Sequence, residues 1–274
     1  MTEIYDFRPG RIPLLVSMPH VGTELPADIA ARLTDEARAL PDTDWHLPLL
    51  YDFLDGIGAS VIVARMSRYV IDLNRPPDDT PLYASATTGL CPSVLFDGRK
   101  LYRPGAEPDD AERRARLETH WRPYHHRLEA ELTAMRQRYG VAVLFDAHSI
   151  RSVVPRLFEG RLPDLNIGTA EGASAAPELA ARLVEVASGA GGDGFDHVLN
   201  GRFKGGYITR RYGRPGEGWH AIQLELSQRT YMDEEGPPFA FREERAARIR
   251  PHLRRWVETL AAFAVERAAS GRQA

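Results

Sequence analysis

The sequence predicts an α/β protein with a central mixed, mostly parallel sheet that is flanked by helices. Several apolar runs are continuous and do not alternate with polar residues, as in residues 141–146, VAVLFD. Continuous runs are typical of strands that are covered on both faces. Segments with helical spacing lie between these runs, and such an alternation favours parallel strands between two layers of helices.

Six segments are predicted to be strands because they are short, apolar and bounded by turn residues. They are residues 12–18 (IPLLVSM), 59–65 (ASVIVAR), 69–74 (YVIDLN), 141–146 (VAVLFD), 196–200 (DHVLN) and 221–226 (AIQLEL).

Four segments are predicted to be helices. They cover residues 44–57, residues 109–139, a segment that follows Ala176, and residues 242–266. The second is the clearest, because its large apolar side chains recur every three or four positions, which is the spacing of one helix face. These side chains are Leu117, Trp121, Tyr124, Leu128 and Leu132.

Residues 75–108 are rich in Pro, Asp, Gly and Thr and show little helix or strand pattern. A loop of this length inside a compact domain is usually functional or mobile. We therefore expect a single domain, residues 1–274, with a long loop excursion at about 75–108.

The composition excludes several classes of protein. The 274 residues carry a formal net charge of −3, so a nucleic-acid partner is not expected. No apolar stretch approaches the roughly 20 residues of a membrane helix, and the N-terminus lacks the apolar region of a signal peptide. Cys91 is the only cysteine, which excludes a disulfide framework and a thiolate zinc site. We expect a cytoplasmic protein, and the oligomeric state cannot be read from the sequence.

Polar side chains follow three of the predicted strands. His20 follows the first, Asp146 ends VAVLFD with His148 two residues beyond it, and Glu225 lies in AIQLEL. In open α/β sheets the ligand site lies at the carboxyl ends of the strands. Two imidazoles and a carboxylate, with one position left open, form the ligand set of a catalytic metal site. A further carboxylate can then activate water.

The metal ligand beside the two histidines is not fixed by this pattern. Asp42, Asp44 and His46 lie at the start of a predicted helix, and Glu24 lies four residues after His20. Asp42 and Asp44 would also serve as ordinary N-terminal acids of that helix. Asp146 is expected to orient an imidazole through a hydrogen bond.

A second set of candidate residues is basic. Arginine binds carboxylates in bidentate fashion, and glycines let the backbone approach a ligand closely. A pocket with a metal and several guanidinium groups would suit a small dicarboxylate substrate. The candidate substrate-binding residues are Arg75, Arg151, Arg202, Lys204 and Arg211.

The motifs together resemble the N-formylglutamate amidohydrolase family, the deformylases of histidine breakdown. The resemblance extends from about Arg11 to Phe263, and many separate motifs occur in one order. They include SMPHVGTELP, DTDWHLPLLYDF, RYVIDLNRPP, DAHSIRSVVPRLFEGRLPD, NGRFKGGYITRRYG and QLELSQRTYMDE.

This resemblance implies hydrolysis of N-formyl-L-glutamate to L-glutamate and formate, on a fold related to zinc carboxypeptidases and amidases. It implies that His20 and His148 are metal ligands and that Glu225 is the general base. For the remaining metal ligand it favours Asp44, with Asp42, His46 and Glu24 as alternatives. The expected cofactor is a divalent metal, with zinc preferred. The alternative function is that of a related metal-dependent carboxypeptidase or N-acyl amino acid amidohydrolase on the same fold.

Overall fold

A seven-stranded mixed sheet forms the centre of the computed structural model, which describes residues 3–82 and 87–270. Its strands are β1 (Tyr5–Arg8), β2 (Leu14–Met18), β3 (Ser60–Ala64), β4 (Ala142–Ile150), β5 (Leu165–Gly168), β6 (His197–Leu199) and β7 (Trp219–Ser227). Their order in the sheet is β1-β3-β2-β4-β7-β5-β6. The four neighbours β3, β2, β4 and β7 are parallel, whereas β1 and β5 pair antiparallel with β3 and β7.

Helices flank this sheet. They are α1 (Ala27–Ala30), α2 (Asp35–Arg38), α3 (Leu47–Leu50), α4 (Leu54–Ile57), α5 (Asp110–Arg116), α6 (Arg122–Tyr139), α7 (Pro177–Gly189), α8 (Tyr207–Tyr212) and α9 (Glu243–Ser270). A π-helical turn, Leu117–Trp121, joins α5 to α6. Short 3₁₀ turns cover Ala170–Gly172, Ala190–Asp193, Pro215–Glu217 and Gln228–Thr230. None of the described helices is long and apolar enough to cross a membrane.

The two faces of the sheet pack against different helices. Val143 and Phe145 of β4 belong to a core cluster with residues of α3, α4, α7 and α9. Ala142 and Leu144 of the same strand belong to a second cluster with residues of α6 and α8. The predicted class, a mixed and mostly parallel sheet between helices, is therefore confirmed.

Five of the six predicted strands are present, and the exception is the segment at 69–74. This segment forms turns, and its polar backbone groups bond to loops and side chains. The Asp72 N–H donates to Leu90 O, and Nε2 of His125 lies 2.8 Å from Leu73 O. Trp121 Nε1–H donates to Arg75 O at 3.0 Å. The apolar side chains of residues 69–74 are buried, but the segment pairs with no strand. The strand-like pattern in the sequence therefore results from burial alone. Strands β1 and β5 were not predicted.

The helix predicted at 44–57 is also wrong in its continuity. It is replaced by the one-turn helices α3 and α4, and His46 before α3 adopts a left-handed backbone with φ 62°. The other three helices are confirmed, with shifted ends. The described part of 75–108 contains neither a helix nor a strand, and residues 83–86 of that loop lie outside the described residues.

Candidate active site

Three of the sequence-predicted residues meet at the carboxyl ends of β2 and β4. The ligand atoms of His20, Asp44 and His148 all lie within 4.8 Å of one another, and the three side chains are buried. Nδ1 of His148 is 3.0 Å from Oδ2 of Asp44, and Nδ1 of His20 is 3.9 Å from the same oxygen. The two imidazole rings are 4.9 Å apart between centroids.

The local backbone brings these groups together. His20 lies just beyond the end of β2, and His148 lies inside β4, which continues four residues beyond the predicted end. Asp44 lies in the loop before α3, where its N–H donates to His20 O at 3.0 Å. Its carboxylate also accepts a hydrogen bond from the Ser149 N–H at 3.2 Å. These two backbone contacts tie the loop that carries Asp44 to both histidine-bearing segments.

A buried carboxylate lies on the far side of each imidazole. Nε2 of His20 is 2.7 Å from Oδ1 of Asp72, and Nε2 of His148 is 3.1 Å from Oδ1 of Asp146. A metal-binding histidine usually donates its second ring N–H to such an oxygen, which fixes the tautomer and leaves the other nitrogen for the metal. Nδ1 of His20 therefore has the orientation of a metal ligand, whereas Nε2 of His148 is also 3.0 Å from Nδ2 of Asn74.

The charge of this cluster is also suited to a divalent cation. Among the described residues, Arg68 is the one arginine or lysine in ion-pair contact with Asp44, Asp72 or Asp146. Three carboxylates and one guanidinium leave two negative charges, which a protonated His148 or a bound cation can balance. Imidazole nitrogens and a carboxylate oxygen are ligands that suit zinc and several other divalent metals. The residues present thus fit a metal ion.

The pKa shifts of the cluster have the same electrostatic origin. Burial alone would lower the pKa of His148, but Asp146 and Asp44 outweigh it and raise that pKa well above its usual value. Burial and the charge of Arg68 lower the pKa of His20. Burial opposes ionisation of Asp72, yet His20 and Arg68 hold its pKa well below the usual value. A cation at Nδ1 of His148 would compete with the proton that these carboxylates favour there.

Glu225 lies beside this cluster on β7. It is the register partner of His148 on β4, and its side chain is only 8% exposed. Burial raises the pKa of Glu225 to about 8, an effect that the charge of His148 partly offsets. A carboxyl group with such a pKa can both accept and donate a proton near neutral pH.

His20, His148 and Glu225 all line one cavity. The cavity wall also includes three arginines, of which Arg68 was not predicted as a site residue. Its basic lining residues are Arg68, Arg75 and Arg202, and its other lining residues include Asn74, Thr87, Thr88, Phe96, Leu157, Phe203, Gly206 and Gln223.

The structure does not bring the other predicted basic residues into this cavity wall. Lys204 is exposed and forms a 2.7 Å ion pair with Glu171. Arg211 on α8 is exposed and lies 3.5 Å from Glu129. Arg151 lies outside the cavity lining, and its Nη2 is 3.5 Å from Oδ1 of Asp42. Basic residues between glycines are not sufficient to mark a binding wall, because local acids can pair with them.

The alternative candidates for the metal ligand at Asp44 have other partners. Oδ2 of Asp42 accepts a hydrogen bond from the Phe96 N–H at 2.9 Å. Nε2 of His46 is 2.7 Å from Phe239 O. Glu24 accepts a 2.9 Å hydrogen bond from Nε of Arg65. Of the four candidates, Asp44 is the one in the cluster.

Sequence reasoning missed Arg68, Asp72, Asn74 and Gln223. Asp72 carries the clearest signal, since it is an acid inside an apolar run that was taken for a strand. Gln223 lies two positions before Glu225 and therefore shares its strand face. Arg68 pairs with Asp72 only four residues along the chain, whereas its contact with Phe96 is distant in the sequence and leaves no local signal.

Comparisons with known proteins agree with the resemblance seen in the motifs. The family model for N-formylglutamate amidohydrolase matches residues 12–232. Two curated relatives, the N-formylglutamate deformylases of Pseudomonas aeruginosa and Pseudomonas putida, are 56% and 54% identical to this chain. Each match covers 97% of this chain and 99% of the relative.

Solved structures agree in fold. The crystal structure of N-formylglutamate amidohydrolase from Ralstonia eutropha JMP134 superposes with a TM-score of 0.78 at 22% identity, over 98% of this chain and 99% of that one. A gene product from Agrobacterium tumefaciens superposes with a TM-score of 0.69 at 21% identity, over 100% and 97% of the two chains. These likenesses establish a shared fold.

Proposed function

The chain belongs to the N-formylglutamate amidohydrolase family, and on this basis we propose that it hydrolyses N-formyl-L-glutamate to L-glutamate and formate. The observation that carries the proposal is the full-length match to two relatives named N-formylglutamate deformylase. The cavity at the carboxyl ends of β2, β4 and β7 supports it, since it combines two imidazoles, a buried carboxyl group and guanidinium groups. The chain is a hydrolase that acts on a linear amide.

His20, Asp44 and His148 are the proposed ligands of a divalent metal, and zinc is the proposed ion. Two imidazoles and one carboxylate leave a coordination position open, as in catalytic zinc sites. When bound, such an ion supplies Lewis-acid chemistry, which lowers the pKa of water and polarises a carbonyl group. Asp72 holds the imidazole of His20 so that it presents Nδ1.

Glu225 is the proposed general base and then the general acid. It accepts a proton from the attacking water as the water oxygen forms a bond to the formyl carbon. It then delivers that proton to the glutamate nitrogen as the carbon–nitrogen bond breaks. The remaining hydroxyl proton of the formic acid passes to the amine, so the products are formate and the ammonium form of glutamate, and atoms and charge balance without a covalent enzyme intermediate. Its burial beside His148 keeps both protonation states within reach near neutral pH.

Arg75 and Arg202 are the proposed partners of the substrate carboxylates. Arg75 donates to Thr88 O at 2.7 Å, to Asn74 O at 3.0 Å and to Thr87 Oγ1 at 3.1 Å. These acceptors are neutral, and no described carboxylate is in ion-pair contact with Arg75. Its charge is therefore held in the cavity wall by neutral groups, which leaves it available to an anionic ligand. Arg202 lines the same cavity, and its guanidinium lies over the ring of Phe203.

The test is a formate-release assay on the purified protein with elemental analysis of bound metal. We expect formate from N-formyl-L-glutamate, slower turnover of N-formyl-L-leucine, which lacks the side-chain carboxylate, and loss of activity after chelation that added zinc restores. Absence of formate release from a metal-loaded protein would refute the proposed activity. Full activity after removal of all metal would refute the metal assignment alone.

A further inference from the structure

We propose that Gln223 is a positioning residue that orients the carboxylate of Glu225 for proton transfer. The inference rests on the proposed role of Glu225 as the general base. Gln223 and Glu225 are two positions apart on β7, so their side chains leave the same face of the sheet. Both line the cavity that contains His20 and His148.

Glu225 has a single hydrogen-bond donor to its carboxylate within the described part of the chain. That donor is Nε2 of Gln223, which is 3.4 Å from Oε2. Nδ2 of Asn166 donates to the backbone oxygen of Glu225 and not to its carboxylate. One carboxylate oxygen is thus held by Gln223, and the other accepts no hydrogen bond from the described residues.

The direction of the Gln223 amide is fixed by its other end. The Gly206 N–H donates to Oε1 of Gln223 at 2.7 Å. A backbone N–H is always a donor, so the oxygen of the amide must face Gly206 and the NH₂ group must face Glu225. An inverted amide would place two donors opposite each other at Gly206.

Gly206 is itself held in place. A Cβ atom built on it would overlap the side chain of Asn74, so the backbone passes too close to that residue for any other amino acid. Oδ1 of Asn74 accepts a 2.8 Å hydrogen bond from the Ile208 N–H, which anchors Asn74 to the start of α8. The chain Asn74–Gly206–Gln223–Glu225 therefore transmits the position of α8 to the proposed base. A mispositioned base lowers the rate of the chemical step more than it weakens substrate binding.

The experiment compares Gln223→Met, Glu225→Gln and the double variant in the metal-loaded protein. Methionine has a similar length and cannot donate to the carboxylate. We expect kcat of Gln223→Met to fall about 10- to 100-fold, with KM and bound metal close to those of the wild type. In the Glu225→Gln background the same change should lower kcat no further, because the group that it positions is already gone.

Each result separates positioning from other roles. An additional fall of kcat in the double variant, equal to that in Gln223→Met alone, would overturn the inference and assign Gln223 a role independent of Glu225. An increase in KM at unchanged kcat would also overturn it, by assigning Gln223 to substrate binding. Wild-type kcat in Gln223→Met overturns this inference alone, whereas wild-type kcat in Glu225→Gln overturns the proposed function of Glu225 as well.

Gln223→Glu is the second variant if the methionine variant does not fold. Glutamate keeps an oxygen acceptor for the Gly206 N–H and, once ionised, offers no donor to Glu225. Assayed at alkaline pH, it should show the same loss of kcat. Wild-type kcat in this variant would mean that the contact with Gly206 is sufficient, which contradicts the proposed donation to Glu225.

Discussion

Replacing Asp72 by asparagine tests whether the metal site depends on the carboxylate behind His20. Asp72 is fully buried, and its two carboxylate oxygens contact different side chains. Oδ1 is 2.7 Å from Nε2 of His20, and Oδ2 is 2.7 Å from Nη2 of Arg68. Asparagine has nearly the same shape but one oxygen only. The NH₂ group of the asparagine would face either the Arg68 guanidinium or the N–H of His20. In both arrangements two hydrogen-bond donors face each other.

The expected loss follows from these contacts. Removing the carboxylate partner of a metal-bound histidine typically weakens metal binding about 10- to 100-fold, which corresponds to about 1.4 to 2.8 kcal/mol. Arg68 keeps Asp44 within 3.8 Å, so its charge does not become fully unpaired. We therefore expect weaker metal binding in a protein that still folds.

The assay is metal binding at buffered free zinc, with bound metal measured by elemental analysis. Glu24→Gln is the matched control, because Glu24 is an acid in the same region that pairs with Arg65 and not with the histidines. The control should bind zinc as the wild type does. Wild-type zinc affinity in Asp72→Asn would refute the argument that this carboxylate orients His20.

Three further outcomes are expected. Glu225→Gln should keep its metal but lose about 10²- to 10⁴-fold in kcat, measured by formate release, and near-normal kcat would exclude it as the base. Arg75→Met should raise KM about 10- to 100-fold, which corresponds to the loss of one charge-assisted hydrogen bond. Lys204→Met should leave KM unchanged, because Lys204 pairs with Glu171. Equal changes of KM in the two variants, measured by steady-state kinetics, would contradict the assignment of Arg75 to the cavity. Burial lowers the pKa of His125 from 6.5 to about 3, so the unfolded chain takes up this proton first as the pH falls. The neutral His125 contributes fully to the free energy of unfolding above pH 6.5, and this contribution falls toward pH 3 by at most about 1.4 kcal/mol per pH unit. In denaturant titrations, the free energy of unfolding of His125→Gln should therefore decrease less steeply with falling pH than that of the wild type. Identical decreases in the two proteins would refute this.

The central strands could be predicted because burial on both faces leaves a continuous apolar run in the sequence. β2, β3, β4 and β7 all show it. β1 lies at the edge of the sheet, with alternate residues exposed, and β5 is a four-residue strand, LNIG, with a central asparagine. Neither has a pattern that separates it from a loop. Residues 69–74 show the reverse error, since their apolar side chains are buried by packing among loops.

The site residues at the ends of strands could be predicted from the sequence. The site residues that are brought in by contacts between distant parts of the chain could not. His20, His148 and Glu225 were found because polar residues at the end of apolar strands are unusual. Asp44 was chosen among four candidates only through the family resemblance, and the structure places it in the cluster. Arg68 was not found, because its ion pair with Asp44 and its contact with Phe96 both join residues that are distant in the sequence.

The alternation of residues along β4 and β7 explains why a stable core and a charged site can share the same strands. Phe145, Ala147, Leu224 and Leu226 remain apolar to the ends of their strands and belong to the core cluster with α7 and α9. On the opposite face, Leu144 gives way to Asp146 and His148, and Ala221 gives way to Gln223 and Glu225. Since successive residues of a strand point to opposite faces, the chain can carry charge on one face without exposing the apolar core on the other. The charged face is buried but faces a cavity, and its carboxylates are matched by histidine, arginine and the proposed metal. Isolated buried charges are strongly unfavourable, so these groups can be tolerated there only as a balanced set.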